Sequence, residues 1–233
     1  MHRLRETDVT PEAPRPSRSG LYAVLLVSLT LAVGAAMAAL AADANKPAPP
    51  PKASAGDNAA VATFASGCFW CTEADFDKVD GVLETISGYT GGTTENPTYQ
   101  SIGTGRTGHY EALQVKFDPA KVSYERLLAW YWRHVDPVDG DGQFCDRGSQ
   151  YRPAIFVHDA TQRRLAEASR DALAKNGPFD RPIAVAILDA RTFTPAEDYH
   201  QDYYQKNPLR YRVYRHGCGR DQRIEQIWSK TTG

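Results

Sequence analysis

Residues 60–79 read AVATFASGCFWCTEADFDKV, and two hydrophobic periods meet inside them. Residues 60–65 are a short apolar run of the length of a buried strand, closed by Ser66 and Gly67. Residues 70–79 have helical character, and Gly81 stops them. A strand that turns through glycine directly into a helix is one unit of a domain in which helices pack on a sheet. The rest of the chain repeats the theme. Residues 82–89 predict a second strand that ends at Gly91-Gly92. Residues 109–117 alternate most clearly, with Glu111, Leu113, Val115 and Phe117 on one face and Tyr110, Ala112, Gln114 and Lys116 on the other. Ser123 caps a helix carrying Leu127, Leu128, Trp130 and Tyr131 that ends before Pro137. After a long Asp- and Gly-rich loop, 138–152, come a strand at 154–158, a helix at 161–175 and a strand at 183–188. Thr194-Pro195-Ala196-Glu197 has the form of a capping box with proline at the first helical position, which predicts a further helix. Strands and helices interleave without a dinucleotide fingerprint. The expected fold class is therefore α+β, a two-layer arrangement of helices on a mixed or antiparallel sheet.

Outward from this domain the chain changes character. Arg3, Arg5, Arg15 and Arg18 precede an uncharged, mostly apolar run at 21–42. This is a targeting segment with two open fates: a signal peptide cleaved near Ala39-Leu40-Ala41, or a membrane anchor, since about 20 apolar residues span a bilayer. Residues 46–57, KPAPPPKASAGD, hold nothing large enough to pack and read as a solvated linker. The division is 1–42 for targeting, 43–58 for the linker and 59–233 for a catalytic domain, placed in the periplasm or another extracytoplasmic compartment, soluble or held at the inner membrane. A net charge of -1 provides no basic surplus for nucleic acid or an anionic lipid surface. Four cysteines, Cys68, Cys71, Cys145 and Cys218, are too few for a disulfide scaffold. Methionine occurs only at Met1 and Met37, an absence that chance in an Ala- and Arg-rich composition explains.

Cys68 stands where a strand gives way to a helix. Unpaired N–H groups and the helix dipole favour a thiolate there, so a reactive nucleophile stands against the alternative of a small buried hydrophobe. The neighbouring Phe69 and Trp70 can build an apolar cup for a methyl thioether. Glu111 shares a face with three apolar residues; poor solvation would raise its pKa and let it donate a proton, whereas at a wet rim it would pair with Arg106. Tyr99 and Tyr151 are candidate hydroxyl donors by neighbourhood, among 12 tyrosines that mostly serve packing.

Gly67-Cys68-Phe69-Trp70, Gly88-Tyr89-Thr90-Gly91-Gly92, Asn96-Pro97-Thr98-Tyr99, Gly108-His109-Tyr110-Glu111-Ala112 and Gln150-Tyr151-Arg152 together resemble the A-type peptide methionine sulfoxide reductase family, in the family's order, from Val61 to Trp228. The resemblance implies an α+β sandwich related to the ferredoxin-like arrangement, action on the S-epimer of methionine sulfoxide, and no metal or bound organic cofactor. It implies Cys68 as nucleophile, Phe69 and Trp70 as the methyl cage, Glu111 as the acid, Tyr99 and Tyr151 as its hydroxyl partners, and Asp146 as a polar residue beside them. A sulfenic acid on Cys68 would then condense with a second thiol, and an external thioredoxin-like dithiol would reset the disulfide. Substrates would be oxidised proteins and free methionine sulfoxide.

Many family members have a small residue at position 71, so the resolving thiol is open. Cys218, between Gly217 and Gly219 in a C-terminal segment, is favoured; Cys71 is the alternative, because helical i,i+3 spacing sets Cβ atoms ~5–6 Å apart, beyond the ~3.5–4.5 Å of a relaxed disulfide, unless the first turn is distorted. Cys145 lies in the loop of Asp146 and Tyr151 and serves packing or a relay. Three other readings compete: an exported CxxC thiol-disulfide oxidoreductase, a zinc-stabilised module using all four cysteines, and a peptide-binding surface made of Tyr199, Tyr203, Tyr204, Tyr211 and Tyr214. Those tyrosines more simply pack the C-terminal segment over the sheet.

Overall fold

The computed structural model describes residues 58–229, so the expected targeting segment and all but the last residue of the linker lie outside them. Among the described residues no helix is long and apolar enough to cross a membrane. The strands are β1 (Ala60–Ala65), β2 (Val82–Thr90), β3 (Tyr110–Phe117), β4 (Gly142–Gln143), β5 (Asp146–Arg147), β6 (Ala154–Val157), β7 (Ala186–Asp189) and β8 (Thr194–Pro195). The helices are α1 (Phe69–Phe76), α2 (Tyr99–Ile102), α3 (Tyr124–Arg133), α4 (Ala160–Asn176), α5 (Tyr203–Lys206), α6 (Pro208–Gly217) and α7 (Arg220–Trp228), with a 3-10 turn at Ser149–Tyr151. Six strands form one sheet in the order β7-β6-β1-β3-β2-β8, parallel only between β6 and β7. The α+β class with a mixed sheet is thus observed.

Strand alternation sorts the side chains into two sets. Ala62 and Phe64 of β1, Leu113, Val115 and Phe117 of β3, and Ile155 and Val157 of β6 join Leu127, Leu128 and Tyr131 of α3, Ala166 of α4 and Phe76 of α1 in the main core. The opposite set, Ala65, Tyr110, Ala112, Ala154 and Phe156, is smaller and packs with Leu188 and Phe193. Full burial of each large apolar side chain in the main core contributes roughly 1.5–3 kcal/mol. Phe64 stacks on Phe76 and Tyr131 at ring separations of 4.9 and 5.2 Å, which ties β1 to α1 and α3. Tyr131 also donates from its hydroxyl to the Ala65 carbonyl at 2.9 Å, fixing the end of β1 where the chain turns into α1.

Two local expectations are corrected. Thr194-Pro195 does not start a helix; it is the edge strand β8, with Gly88 opposite Pro195 and Tyr89 opposite Thr194. Proline lacks the N–H a central strand needs but is tolerated at an edge. Glu197, instead of reaching back to cap residue 194, accepts from the Tyr89 hydroxyl at 2.7 Å and from the Tyr99 N–H at 3.0 Å. The tyrosines of the C-terminal segment pack on α1 more than on the sheet: Tyr203 stacks on Trp70 and the Tyr204 hydroxyl donates to Asp77 at 2.8 Å. Tyr199 remains exposed.

Candidate active site

The site is built at the turn from β1 into α1. Gly67 has φ +84°, and a Cβ there would lie 2.6 Å from Gln143 Cβ, so only glycine allows the turn. Cys68 follows as the N-cap of α1, with non-helical φ -53° and ψ 120°, and its carbonyl accepts from the N–H groups of Cys71 and Thr72. Arg220 donates to the Ser66 carbonyl at 3.0 Å, clamping the turn from the far end of the chain.

Facing this turn, β3 presents Glu111, 2% exposed and paired across the ladder with Tyr89. Its Oε2 accepts from the Phe69 N–H at 3.0 Å. Burial pushes its carboxyl up to about 8, against the smaller opposing effect of that hydrogen bond. Glu111 is therefore protonated at neutral pH, a proton donor poised beside a cysteine. Tyr99, the first residue of α2, and Tyr151, at the end of the 3-10 turn, are hydrogen-bonded to each other, and burial holds the Tyr99 hydroxyl up at about 12. Tyr151 is raised further by burial and by the Glu111 carboxyl. Both remain donors throughout the physiological range.

Phe69 is buried with its ring 5.9 Å from Tyr89 and 6.5 Å from Tyr99, while the half-buried Trp70 stacks on Tyr203 at 3.7 Å. Asp146, from β5, accepts from the Tyr214 hydroxyl at 2.7 Å, and burial raises its carboxyl. The structure thus brings Cys68, Phe69, Trp70, Tyr99, Glu111, Asp146 and Tyr151 to one place.

The two nearby thiols behave differently from the simple helix-start expectation. Cys68 is 5% exposed, and burial, then its hydrogen bond with Cys71, raises its pKa. Cys71 is lowered, first by that hydrogen bond and then by Arg220 and Arg215. At this helix start the Phe69 N–H is spent on Glu111 and the Cys71 N–H on the Cys68 carbonyl. Of the two, Cys71 is the one that its surroundings bias toward the thiolate. Cys218, favoured above as the resolving thiol, is instead joined to Cys145 in a disulfide, while Cys68 and Cys71 are free. Cys145 occupies the Phe144-Cys145 turn between β4 and β5, and Cys218 caps the end of α6, so the bridge staples the catalytic loop to the C-terminal helices. The only cluster of three possible metal ligands among the described residues, Cys145, Asp146 and Cys218, contains this disulfide.

The profile described as "Peptide methionine sulfoxide reductase" matches residues 60–232. The chain belongs to the peptide methionine sulfoxide reductase family. It is 53% identical over 170 residues to peptide methionine sulfoxide reductase MsrA of Bacillus licheniformis, a match covering 73% of this chain and 94% of that protein. It is 50% identical over 167 residues to MsrA/MsrB of Vibrio cholerae, covering 72% of this chain but only 44% of that longer protein. Among solved structures, Mxr1 of Saccharomyces cerevisiae in reduced form aligns with TM-score 0.60 and 30% identity over 70% of this chain and 90% of that one. Methionine sulfoxide reductase A of Corynebacterium diphtheriae aligns with TM-score 0.57 and 33% identity, over 70% of this chain and 84% of that one.

A methionine sulfoxide reductase needs a sulfur nucleophile, an acid for the departing oxygen and a source of two electrons. The site holds groups of each kind: a thiol at Cys68, a carboxyl raised by burial at Glu111 and a second free thiol at Cys71. Four groups in this site were not found by sequence reasoning. Tyr214, counted among packing tyrosines, sets its hydroxyl on both Asp146 and Cys68. Arg215 and Arg220 surround buried Asp75, one turn beyond Cys71, at 3.0 and 3.7 Å. His200, 1% exposed, accepts from the Trp70 indole N–H at 3.0 Å. No local signal marks them; all come from a segment about 130 to 150 residues downstream whose fold brings it over α1.

Proposed function

We propose that this enzyme reduces the S-epimer of methionine sulfoxide, in oxidised proteins and as the free amino acid, with Cys71 as the resolving thiol. The observation that carries this reading is the protonated Glu111 facing Cys68 beside a hydroxyl pair and an aromatic cup. As the sulfoxide enters, its methyl lies against Phe69 and Trp70, and its oxygen meets Glu111, Tyr99 and Tyr151. Cys68 passes its proton to the Cys71 sulfur and attacks the sulfoxide sulfur, while Glu111 protonates the oxygen. The protonated oxygen passes from the methionine sulfur to the Cys68 sulfur as the S–S bond made by the attack breaks, so methionine leaves, Cys68 becomes a sulfenic acid and Glu111 a carboxylate. Cys71 then attacks the sulfenic sulfur, giving a Cys68–Cys71 disulfide and water. A thioredoxin-like dithiol reduces that disulfide and becomes oxidised in turn; no bound cofactor takes part.

Cys71 is favoured because it is the free thiol whose proton affinity is linked to that of Cys68, and Cys68, as N-cap, lies outside the regular helix whose spacing would hold them apart. We place the enzyme outside the cytoplasm, soluble or anchored through its N-terminal segment. The basic-then-apolar residues 1–42 and the Cys145–Cys218 bridge support this, since such bridges persist in oxidising compartments. Cell fractionation with a cytoplasmic marker tests it.

The decisive assay offers each sulfoxide epimer with a dithiol to wild type, Cys68→Ser and Glu111→Ala. Methionine should form from the S-epimer alone, vanish in Cys68→Ser and fall by about 10²–10⁴-fold in Glu111→Ala. A plain CxxC oxidoreductase would keep disulfide exchange in Glu111→Ala and show no epimer preference.

A further inference from the structure

His200 takes no part in the chemistry above, yet it sits at the junction of the residues that read the substrate. Its Nδ1 accepts from Trp70 Nε1 at 3.0 Å, which fixes the neutral ring's proton on Nε2. That Nε2 is buried without a hydrogen-bond partner, 3.9 Å from Glu197 Oε2. The imidazole lies 5.0 Å from the Phe69 ring, 4.4 Å from Tyr99 and 5.7 Å from Trp70. Glu197, from the same turn, holds the Tyr99 backbone N–H and the Tyr89 hydroxyl. One short segment, 197–200, therefore touches both walls of the cup and the backbone and ring of Tyr99.

A buried polar atom left unpaired costs free energy, so histidine stands here against the cost of its own Nε2. Histidine gains one specific thing, an acceptor in the ring plane aimed at the indole. Trp70 is held by Tyr203 stacking on its face, at 3.7 Å and 6° between planes, and meets Tyr214 near-perpendicularly at 5.8 Å, contacts without a directional bond that leave the indole some freedom in its own plane. The His200 hydrogen bond removes that freedom.

We infer that His200 is a positioning residue that locks the Trp70 indole in its plane, and so sets the selectivity of the cup for a methyl over a larger S-alkyl group. This rests on Phe69 and Trp70 forming the methyl cage. The test compares methionine and ethionine S-sulfoxides with His200→Phe, which keeps a ring but has no acceptor, and His200→Asn, which restores an acceptor.

In His200→Phe the methyl-over-ethyl preference in kcat/KM should drop by about tenfold, the worth of one hydrogen bond, mainly through KM for the methyl substrate. The Trp70 indole N–H resonance, identified by its loss in Trp70→Phe, should move to its unbonded position. His200→Asn should recover most of both, and His200→Phe added to Trp70→Phe should change the preference no further. If His200→Phe leaves the resonance and the preference in place, or His200→Asn is as impaired as His200→Phe, the inference is overturned. If Trp70→Phe itself leaves the preference unchanged, the cage reading fails instead, and with it the premise.

Discussion

A carboxylic acid that stays protonated at neutral pH is the most consequential single residue here. Glu111 was legible because strand alternation placed it with Leu113, Val115 and Phe117, and the structure puts it on that face. The raised pKa of Cys68 was not legible, because it depends on burial first and then on Cys71 and Glu111, while the opposite shift of Cys71 draws on arginines over 140 positions away. The Glu111 carboxyl is raised from 4.5 to about 8, so its acid form, and single-turnover methionine release, should persist below that pH and fall as pH rises through it. In Glu111→Gln the rate should be lower by about 10²–10⁴-fold and that falling limb absent. Stability follows the same sign. Between the unfolded and folded values the native chain holds a proton that the unfolded chain releases, so the stability this site contributes is present below about 4.5 and lost as pH rises to about 8. Glu111→Gln lacks that loss, and urea unfolding at pH 5 and pH 9 should show the variant gaining on wild type by on the order of a few kcal/mol. A pH-independent difference would mean that Glu111 ionises normally.

At the level of elements, the strands and the helices carrying an apolar stripe were readable, and the C-terminal helices were not. α6 buries no residue at all, and α7 buries only Arg220 and Ile227, so neither carries a hydrophobic period to be found. They are held by polar contacts that only the fold assembles. Arg220 is 1% exposed, donates to the Ser66 and His134 carbonyls at 3.0 and 2.8 Å, and faces Asp75 together with Arg215. Burial works against ionisation of Asp75, and Arg215 and then Arg220 outweigh it, holding the carboxyl below its usual value. Arg220→Met should leave the Ser66 and His134 carbonyls unpaired and remove one of the cations around Asp75, which Arg215 and Lys78 still face, lowering stability by about 3 kcal/mol in urea titrations. The same change removes a cation that favours the Cys71 thiolate, the proposed acceptor of the Cys68 proton, so formation of the first equivalent of methionine should slow along with steady turnover. A stability change below about 0.5 kcal/mol would show that this cluster is not what docks α7.

Over the whole molecule the four cysteines divide into two couples with separate duties. Cys68 and Cys71 are free, hydrogen-bonded thiols at the base of the site, whereas Cys145 and Cys218 join positions 73 residues apart on the outside of it. Nothing in the sequence spacing distinguishes this division from a relay ending at Cys218, because the pairing depends on α6 folding back across the β4–β5 turn. Closing a loop of 73 residues stabilises the folded state by about 4 kcal/mol through the entropy of the unfolded chain. The bridge also holds Asp146 and Tyr214 together, since each lies next to or within one turn of a bridged cysteine. If the bridge is a staple, the double variant Cys145→Ser/Cys218→Ser should unfold at lower urea yet turn over with a dithiol protein at a rate within a few-fold of wild type, because Cys71 still resolves Cys68. Cys71→Ser should then release about one equivalent of methionine and stop, with Cys68 trapped as a sulfenic acid that a dimedone-type reagent labels. The reverse pattern, with full turnover in Cys71→Ser and a single equivalent in the double variant, would make Cys218 the resolving thiol and the bridge a resting form that must open in every cycle.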